Sequence, residues 1–161
     1  MKMTTLCYIE NNHQYLMLYR NQKANDENRN KWIGIGGKFD INETPIECMK
    51  REVLEETGLS VMRFLYKGIV TFVSNQFETE YMHLFKVTHF SGKLTYTSEG
   101  ELKWIDKDQL VHYPMWQGDI IFLKLLDQDI PFFSLKLKYQ GDQLLEAILN
   151  ETPLDLKVWL K

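Results

Sequence analysis

The stretch GKFDINETPIECMKREVLEETGL, residues 37–59, is the most informative part of this sequence. It predicts a helix over Thr44–Thr57, because Thr at the N-cap, Pro at the next position and Glu47 at the third helical position form a capping box. Gly58 can end that helix in the left-handed conformation. One face has apolar residues at helical spacing and should pack on a sheet: Ile46, Met49 and Val53.

Three glutamates share a second face of the same predicted helix, roughly 95° from the apolar face: Glu52, Glu55 and Glu56. Like charges at this spacing repel one another and destabilise a helix by a few tenths of a kcal/mol per pair. One interpretation is an ordinary solvated acidic face. The other is a site for a hard divalent cation, since Mg²⁺ prefers carboxylate, water and phosphate oxygens.

The spacing of the fixed residues identifies a known motif. Gly37, five residues, Glu43, seven residues and then REVLEETGL at 51–59 match the Nudix box at every fixed position. At ~5–7% per residue type, seven specified residues match by chance on the order of 10⁻⁸ per register. The chain therefore resembles the Nudix hydrolases, which cleave nucleoside diphosphates linked to another moiety and use Mg²⁺ or Mn²⁺.

The resemblance implies an α/β fold, a Nudix-type α/β/α sandwich with a mixed sheet. Predicted strands interrupted by two or three helices favour the same class. We expect one domain over residues 1–149 and a C-terminal tail of unknown role over 150–161. Residues 21–31 contain a single apolar residue, so they form either a lid over the site or an exposed connector.

The resemblance also implies the metal ligands. Glu52 and Glu56 are the core ligands, and Glu55 is a further ligand or a supporting partner. The carbonyl of Gly36 completes the shell, and Glu99, on a separate segment, serves the same site.

The remaining catalytic roles fall to residues around these ligands. Arg51 holds the carboxylates in position, with Glu43 in support. The metal ions would offset charge on the diphosphate and activate a water molecule, whose proton a carboxylate accepts. Glu52, Glu56 and Glu99 are all candidates for this general base, and Glu52 is our first choice.

Beyond the box, the chain resembles MutT-type 8-oxo-dGTP diphosphatases over most of its length. The supporting segments are WIGIGGK at 32–38, Ser98-Glu99 with Trp104, MWQGD at 115–119, and the aromatic stretch at 132–141. The resemblance places Arg20 and Lys38 near the substrate phosphates and Gly37 in the turn that admits the diphosphate.

The same resemblance implies a base pocket. Trp116 would stack on the purine, although a core or lid aromatic is the alternative. Asp119 would bind the base edge, unless it only caps the helix that follows. Phe72 lines the pocket or belongs to the core. Within this family, the chain is most similar to the branch that includes the mammalian MutT homologue and similar bacterial proteins. It departs from the mammalian enzyme at Ile33, where that enzyme has an Asn, and at Gly118, where it has an acidic residue.

The leading hypothesis is a pyrophosphohydrolase of purine nucleoside triphosphates, including oxidised ones, with a small nucleotide as its partner. One alternative is a Nudix hydrolase for ADP-ribose, a dinucleoside polyphosphate or capped RNA. Another is a non-catalytic Nudix module that binds nucleotides. The three glutamates argue against the module, because a binding role does not need a repulsive cluster.

Composition bounds the partners further. The net charge is −3, and no Lys/Arg block is present, so we expect no nucleic-acid polymer as a partner. No run reaches ~18 apolar residues, and the first residues lack the apolar segment of a signal peptide. We therefore expect no membrane partner and a cytoplasmic location.

Overall fold

The computed structural model describes residues 1–21, 26–95 and 100–161, and ten strands are found in these ranges. The strands are β1 Lys2–Asn11, β2 Gln14–Arg20, β3 Lys31–Ile33, β4 Ile35–Lys38, β5 Leu59–Ser74, β6 Glu80–Gly92, β7 Glu101–Asp106, β8 Phe133–Gln140, β9 Gln143–Leu149 and β10 Thr152–Pro153. The helices are α1 Pro45–Thr57, α2 Gln117–Leu126 and α3 Leu156–Trp159, with a 3₁₀ helix at Lys107–His112.

The strands form one mixed sheet with α1 and α2 on opposite faces. Its order is β10-β9-β8-β5-β6-β1-β2-β3, with β4 paired to β1 and β7 paired to β2. The β1–β6 and β5–β8 pairs are parallel. One apolar core contains Met49 and Val53 of α1, and the other contains Ile121 and Phe122 of α2. The predicted α/β sandwich with a mixed sheet is therefore confirmed.

Helix α1 begins and ends as its sequence predicts. The side chain of Thr44 accepts a hydrogen bond from the Glu47 amide (3.1 Å), and the Glu47 carboxylate accepts one from the Thr44 amide (2.9 Å). Gly58 ends the helix at φ 80°. The predicted burial of Ile46 is wrong, because this residue is 36% exposed. Helical phase fixes the side of a helix but not how far along its axis the sheet covers it, and Ile46 lies in the first turn.

Two tight turns set the registers of the hairpins. Asn12 and His13 connect β1 to β2, with φ values of 51° and 63°, which suits a two-residue hairpin turn. Gly141, at φ 58°, begins the turn between β8 and β9. Residues that tolerate positive φ thus form both turns.

Residues 150–161 contact the rest of the chain through both backbone and side chains. Strand β10 pairs with β9, and Leu156 and Trp159 pack against the core that α2 covers. Lys124 of α2 donates a hydrogen bond to the carbonyl of Trp159 (2.6 Å). Across the described ranges, no helix has the length and apolar character needed to cross a bilayer.

Candidate active site

A cavity of about 360 Å³ lies between α2 and the sheet. Its floor contains the row formed by Lys2, Glu80, Phe72 and Leu137, which are neighbours across β1, β6, β5 and β8. Asp119 of α2 and Trp116, the residue before that helix, also line the cavity. Asp26, Glu27 and Asn28 line it from the connection before β3, and Gly36, Gly37 and Lys38 line it from β4.

The glycine turn joins this cavity to the acidic helix. A Cβ at Gly36 would lie 1.9 Å from the carbonyl oxygen of Thr5, on the paired strand β1. A Cβ at Gly37 would lie 2.6 Å from the carboxyl carbon of Glu52. Only glycine therefore allows the two approaches seen here, and Glu52 rests directly on the backbone that borders the cavity.

Arg51 organises the carboxylates of α1. Its Nε and Nη2 donate to Glu43 at 2.7 and 2.8 Å, and its Nη1 donates to Glu52 at 2.8 Å and to Glu55 at 3.2 Å. A further bond from Nη2 reaches the carbonyl of Lys38 (3.0 Å), which ties the helix to the glycine turn. The planar guanidinium can hold this many acceptors at once, whereas an ammonium group cannot.

Burial and charge act in opposite directions on these carboxylates. Hydrogen bonds from Arg51 lower the pKa of Glu43 to about 2. Burial raises the pKa of Glu52, although Arg51 opposes this effect. Glu56 is buried (8% exposed), while Glu55 is exposed. Buried carboxylates beside backbone carbonyls form the hard oxygen set that suits Mg²⁺ or Mn²⁺, so the residues present fit such an ion.

The carboxylate oxygens of Glu52, Glu55 and Glu56 lie farther apart than the ligand atoms of another group in the described ranges. There, ligand atoms of His13, Asp106 and Asp108 lie within 4.8 Å of one another, but all three residues are exposed and none lines the cavity. At the acidic helix, Arg51 contacts two of the three glutamates. Glu99, the expected fourth carboxylate, lies outside the described residues.

Trp116 is buried and also lines the cavity, so the two alternatives for this residue do not exclude each other. Its ring makes edge contacts with Phe72 (centroids 5.2 Å apart) and Tyr139 (4.9 Å), and Lys31 Nζ lies 4.4 Å from its centroid. Its Nε1 donates to Asn28 Oδ1 (2.9 Å). Phe72 is likewise both a core residue and part of the lining.

Asp119 does not cap α2, so that alternative is wrong. The helix begins two residues earlier, with Trp116 at the N-cap and no side-chain capping bond. Asp119 is 6% exposed and lines the cavity, and no hydrogen bond to its carboxyl group occurs in the described part of the chain. Burial raises its pKa well above the usual range; Lys31 opposes the shift and Glu80 adds to it.

The structure explains one departure from the mammalian enzyme. A Cβ at Gly118 would lie 2.5 Å from Leu137 and 2.7 Å from the Tyr139 hydroxyl, which accepts a bond from the Gly118 amide. An acidic side chain at this position would require both Leu137 and Tyr139 to move. Ile33 lines the cavity but offers no polar atom from its side chain.

The predicted phosphate contacts lie at the cavity as well. Arg20 lines it, with Nε 2.7 Å from Asp26, and Lys38 is exposed at its rim. Sequence reasoning missed other lining residues, chiefly Lys2, Thr4, Glu27, Asn28 and Glu80. Alternation along β1 and β6 could have placed some of these residues on one face of the sheet, but it could not have shown which face borders the cavity.

The pattern of the NUDIX domain matches residues 2–126 of the chain. This chain is a Nudix hydrolase. The Nudix hydrolase is 35% identical over 126 residues to an oxidized purine nucleoside triphosphate hydrolase of Danio rerio, covering 75% of this chain and 78% of the relative. The mouse protein of that name is 33% identical over 123 residues, with the same coverage. A MutT protein from Bacillus halodurans has a similar structure, with a TM-score of 0.82, 29% identity, and 93% and 98% of the two chains covered.

Proposed function

We propose that this Nudix hydrolase is a Mg²⁺-dependent pyrophosphohydrolase of purine nucleoside triphosphates, oxidised ones included, with Mn²⁺ as a second usable ion. The observation that carries the proposal is the continuity of the cavity with the glycine turn. An aromatic end with Trp116 and Phe72 is continuous with Gly36 and Gly37, and Glu52 rests on Gly37. A stacked base and its phosphates need such an arrangement. Two relatives with at least 33% identity hydrolyse oxidised purine nucleoside triphosphates, according to their names.

The residues have the following roles in this proposal. Glu52, Glu56 and Glu55, with the Gly36 carbonyl and Glu99, would hold the divalent ion, which neutralises phosphate charge and lowers the pKa of water when bound. Arg51 keeps Glu52 in place through its 2.8 Å bond. Arg20 and Lys38 attract the phosphates. Trp116 and Phe72 contact the base, while Asp119 offers its edge a hydrogen-bonding group.

The reaction consumes one water molecule. Its oxygen forms a bond to phosphorus as the anhydride between the α- and β-phosphates breaks, so the products are a nucleoside monophosphate and pyrophosphate. Glu52 accepts the water proton as general base. Its position against Gly37 holds this carboxylate beside the turn that admits the diphosphate.

Turnover of a nucleotide panel tests the proposal. The panel contains 8-oxo-dGTP, dGTP, dATP, dCTP, ADP-ribose and a dinucleoside polyphosphate, each with Mg²⁺ or with EDTA. We expect the highest kcat/KM for a purine triphosphate, pyrophosphate as product and no turnover in EDTA. Orthophosphate as the product, or ADP-ribose as the best substrate, would overturn the proposal.

A glutamate substitution tests the acidic helix directly. Glu52→Gln should lower kcat by at least ~10³-fold, because it removes an anionic ligand and the proposed base. Glu151→Gln, at an exposed position in the β9–β10 connection, is the matched control and should keep full activity. A loss of tenfold or less in Glu52→Gln would contradict the role given to this residue.

A further inference from the structure

Glu80 is a carboxyl group in the wall of the cavity that the reaction described above does not use. It is the first residue of β6, paired with Lys2 on one side and with Phe72 on the other. Because directly paired residues point to the same face of a sheet, its side chain lies beside Phe72, whose ring contacts Trp116. Glu80 therefore borders the aromatic end of the cavity.

The Glu80 carboxyl group is held in a fixed orientation. Thr4 Oγ1 donates to its Oε2 at 2.7 Å, and Lys2 Nζ lies 3.6 Å from its Oε1. Its side chain is only 13% exposed. Burial of an acidic side chain costs free energy unless the group is hydrogen-bonded and its charge is compensated. Here Lys2 is closer to another acid, Glu27, at 2.8 Å.

Glu80 and Glu27 line the same side of this cavity, and their carboxyl groups provide acceptor atoms there. The cations beside them already contact acids, because Lys2 donates to Glu27 and Arg20 donates to Asp26. A ligand group that lies against Glu80 must therefore be a hydrogen-bond donor. A guanine-type base has two adjacent donors, the ring N1–H and the 2-amino group, whereas adenine has an acceptor at N1.

We propose that Glu80 is a specificity-determining residue that accepts a hydrogen bond from the 2-amino group of a guanine-type base lying against Trp116. This inference rests on the proposed function and adds a recognition group to it. Ile33 and Gly118 supply no polar side-chain atom at their own positions, so recognition from the β6 side compensates for them. Thr4 is a positioning residue, because it acts through Glu80 and has no bond of its own to the base.

Paired substrates that differ only in the 2-amino group test the proposal: dGTP and dITP for turnover, dGMP and dIMP for calorimetric binding. Glu80→Leu should lower kcat/KM for dGTP at least ~10-fold, mainly through KM, because the 2-amino group loses its hydrogen-bond acceptor. The same variant should change kcat/KM for dITP by no more than ~3-fold. Glu80→Gln keeps the size and one acceptor, so its loss should be smaller. Thr4→Val should also lower kcat/KM for dGTP more than kcat/KM for dITP.

Glu78→Gln is the matched control, since Glu78 is half exposed, pairs with the N-terminus and does not line the cavity. Equal losses on dGTP and dITP in the Glu80 variants would overturn the inference, as would unchanged dGTP turnover. Failure of the proposed function looks different: the wild type would then release no pyrophosphate from either triphosphate. If Glu80→Leu does not fold, Glu80→Gln and Thr4→Val decide through the dGMP and dIMP affinities.

Discussion

Replacing Gly37 by alanine should displace the carboxyl group of Glu52, the proposed general base, without unfolding the protein. The added Cβ would lie 2.6 Å from both Cδ and Oε1 of Glu52. Ordinary contact begins at 3.4 Å, so the carboxyl group has to retreat by about 0.8 Å. The obstacle is the end of a flexible side chain, and Gly37 has no positive φ, so the backbone is not strained.

A misplacement near 1 Å of a group that positions the reacting atoms costs on the order of 10² in rate. We therefore expect Gly37→Ala to lower kcat ~10²-fold while Tm changes by only a few degrees. Steady-state kinetics across a Mg²⁺ titration and thermal melts of the same preparations measure both quantities. Full activity would refute the reasoning.

Gly36→Ala provides the contrast, because its Cβ would meet the Thr5 carbonyl oxygen at 1.9 Å. That atom belongs to the backbone of a paired strand and cannot retreat without breaking the ladder. We expect a large loss of stability in this variant. If Gly37→Ala were as destabilised as Gly36→Ala, its loss of activity would not report on Glu52.

Substitutions at three further residues test the other parts of the site. Trp116→Ala should raise KM by a factor equivalent to ~1–3 kcal/mol, because the base loses its stacking partner. Trp116→Phe should restore most of the affinity, and steady-state kinetics measure KM for both variants. Arg51→Lys should lower kcat or Mg²⁺ affinity ~10–100-fold, because one ammonium group cannot replace the bonds to Glu43, Glu52 and Glu55. Asp119 has a raised pKa, so the folded state retains a proton that the unfolded chain loses above pH ~4, and wild-type stability falls as pH rises from there. Asp119→Asn cannot ionise, so its Tm relative to wild type should increase between pH 5 and pH 8; a constant difference would contradict the shifted pKa.

The features that sequence predicted best depend on neighbours in the chain. The capping box of α1 links Thr44 to Glu47, and Gly58 acts within one turn of the helix end. The β1–β2 turn needs only two residues that tolerate positive φ. Ile46 shows the limit, because its exposure depends on how far the sheet extends beneath the helix.

The features that sequence could not predict depend on distant strand pairing. Lys2 and Glu80 are neighbours only because β1 lies parallel to β6. A parallel pair carries no local turn that would signal its register. Glu80 therefore had no motif to identify it, although it borders the same cavity as Trp116. The resemblance identified Asp119, but only the packing of α2 shows that this residue is buried.

The residues proposed for the reaction and those proposed for the choice of substrate are therefore distributed differently along the sequence. In the proposed mechanism, most groups for the phosphate chemistry lie on one helix and one glycine turn within residues 36–56, and only Arg20 and Glu99 come from other segments. The proposed base end is assembled from four strands, α2 and the connection before β3, so its walls come from segments that are distant in the sequence. Leu137 and Tyr139 occupy the space that a side chain at Gly118 would need. An acid at position 118 would therefore require changes at both 137 and 139, whereas the recognition group proposed at Glu80 needs no change in the packing around Gly118.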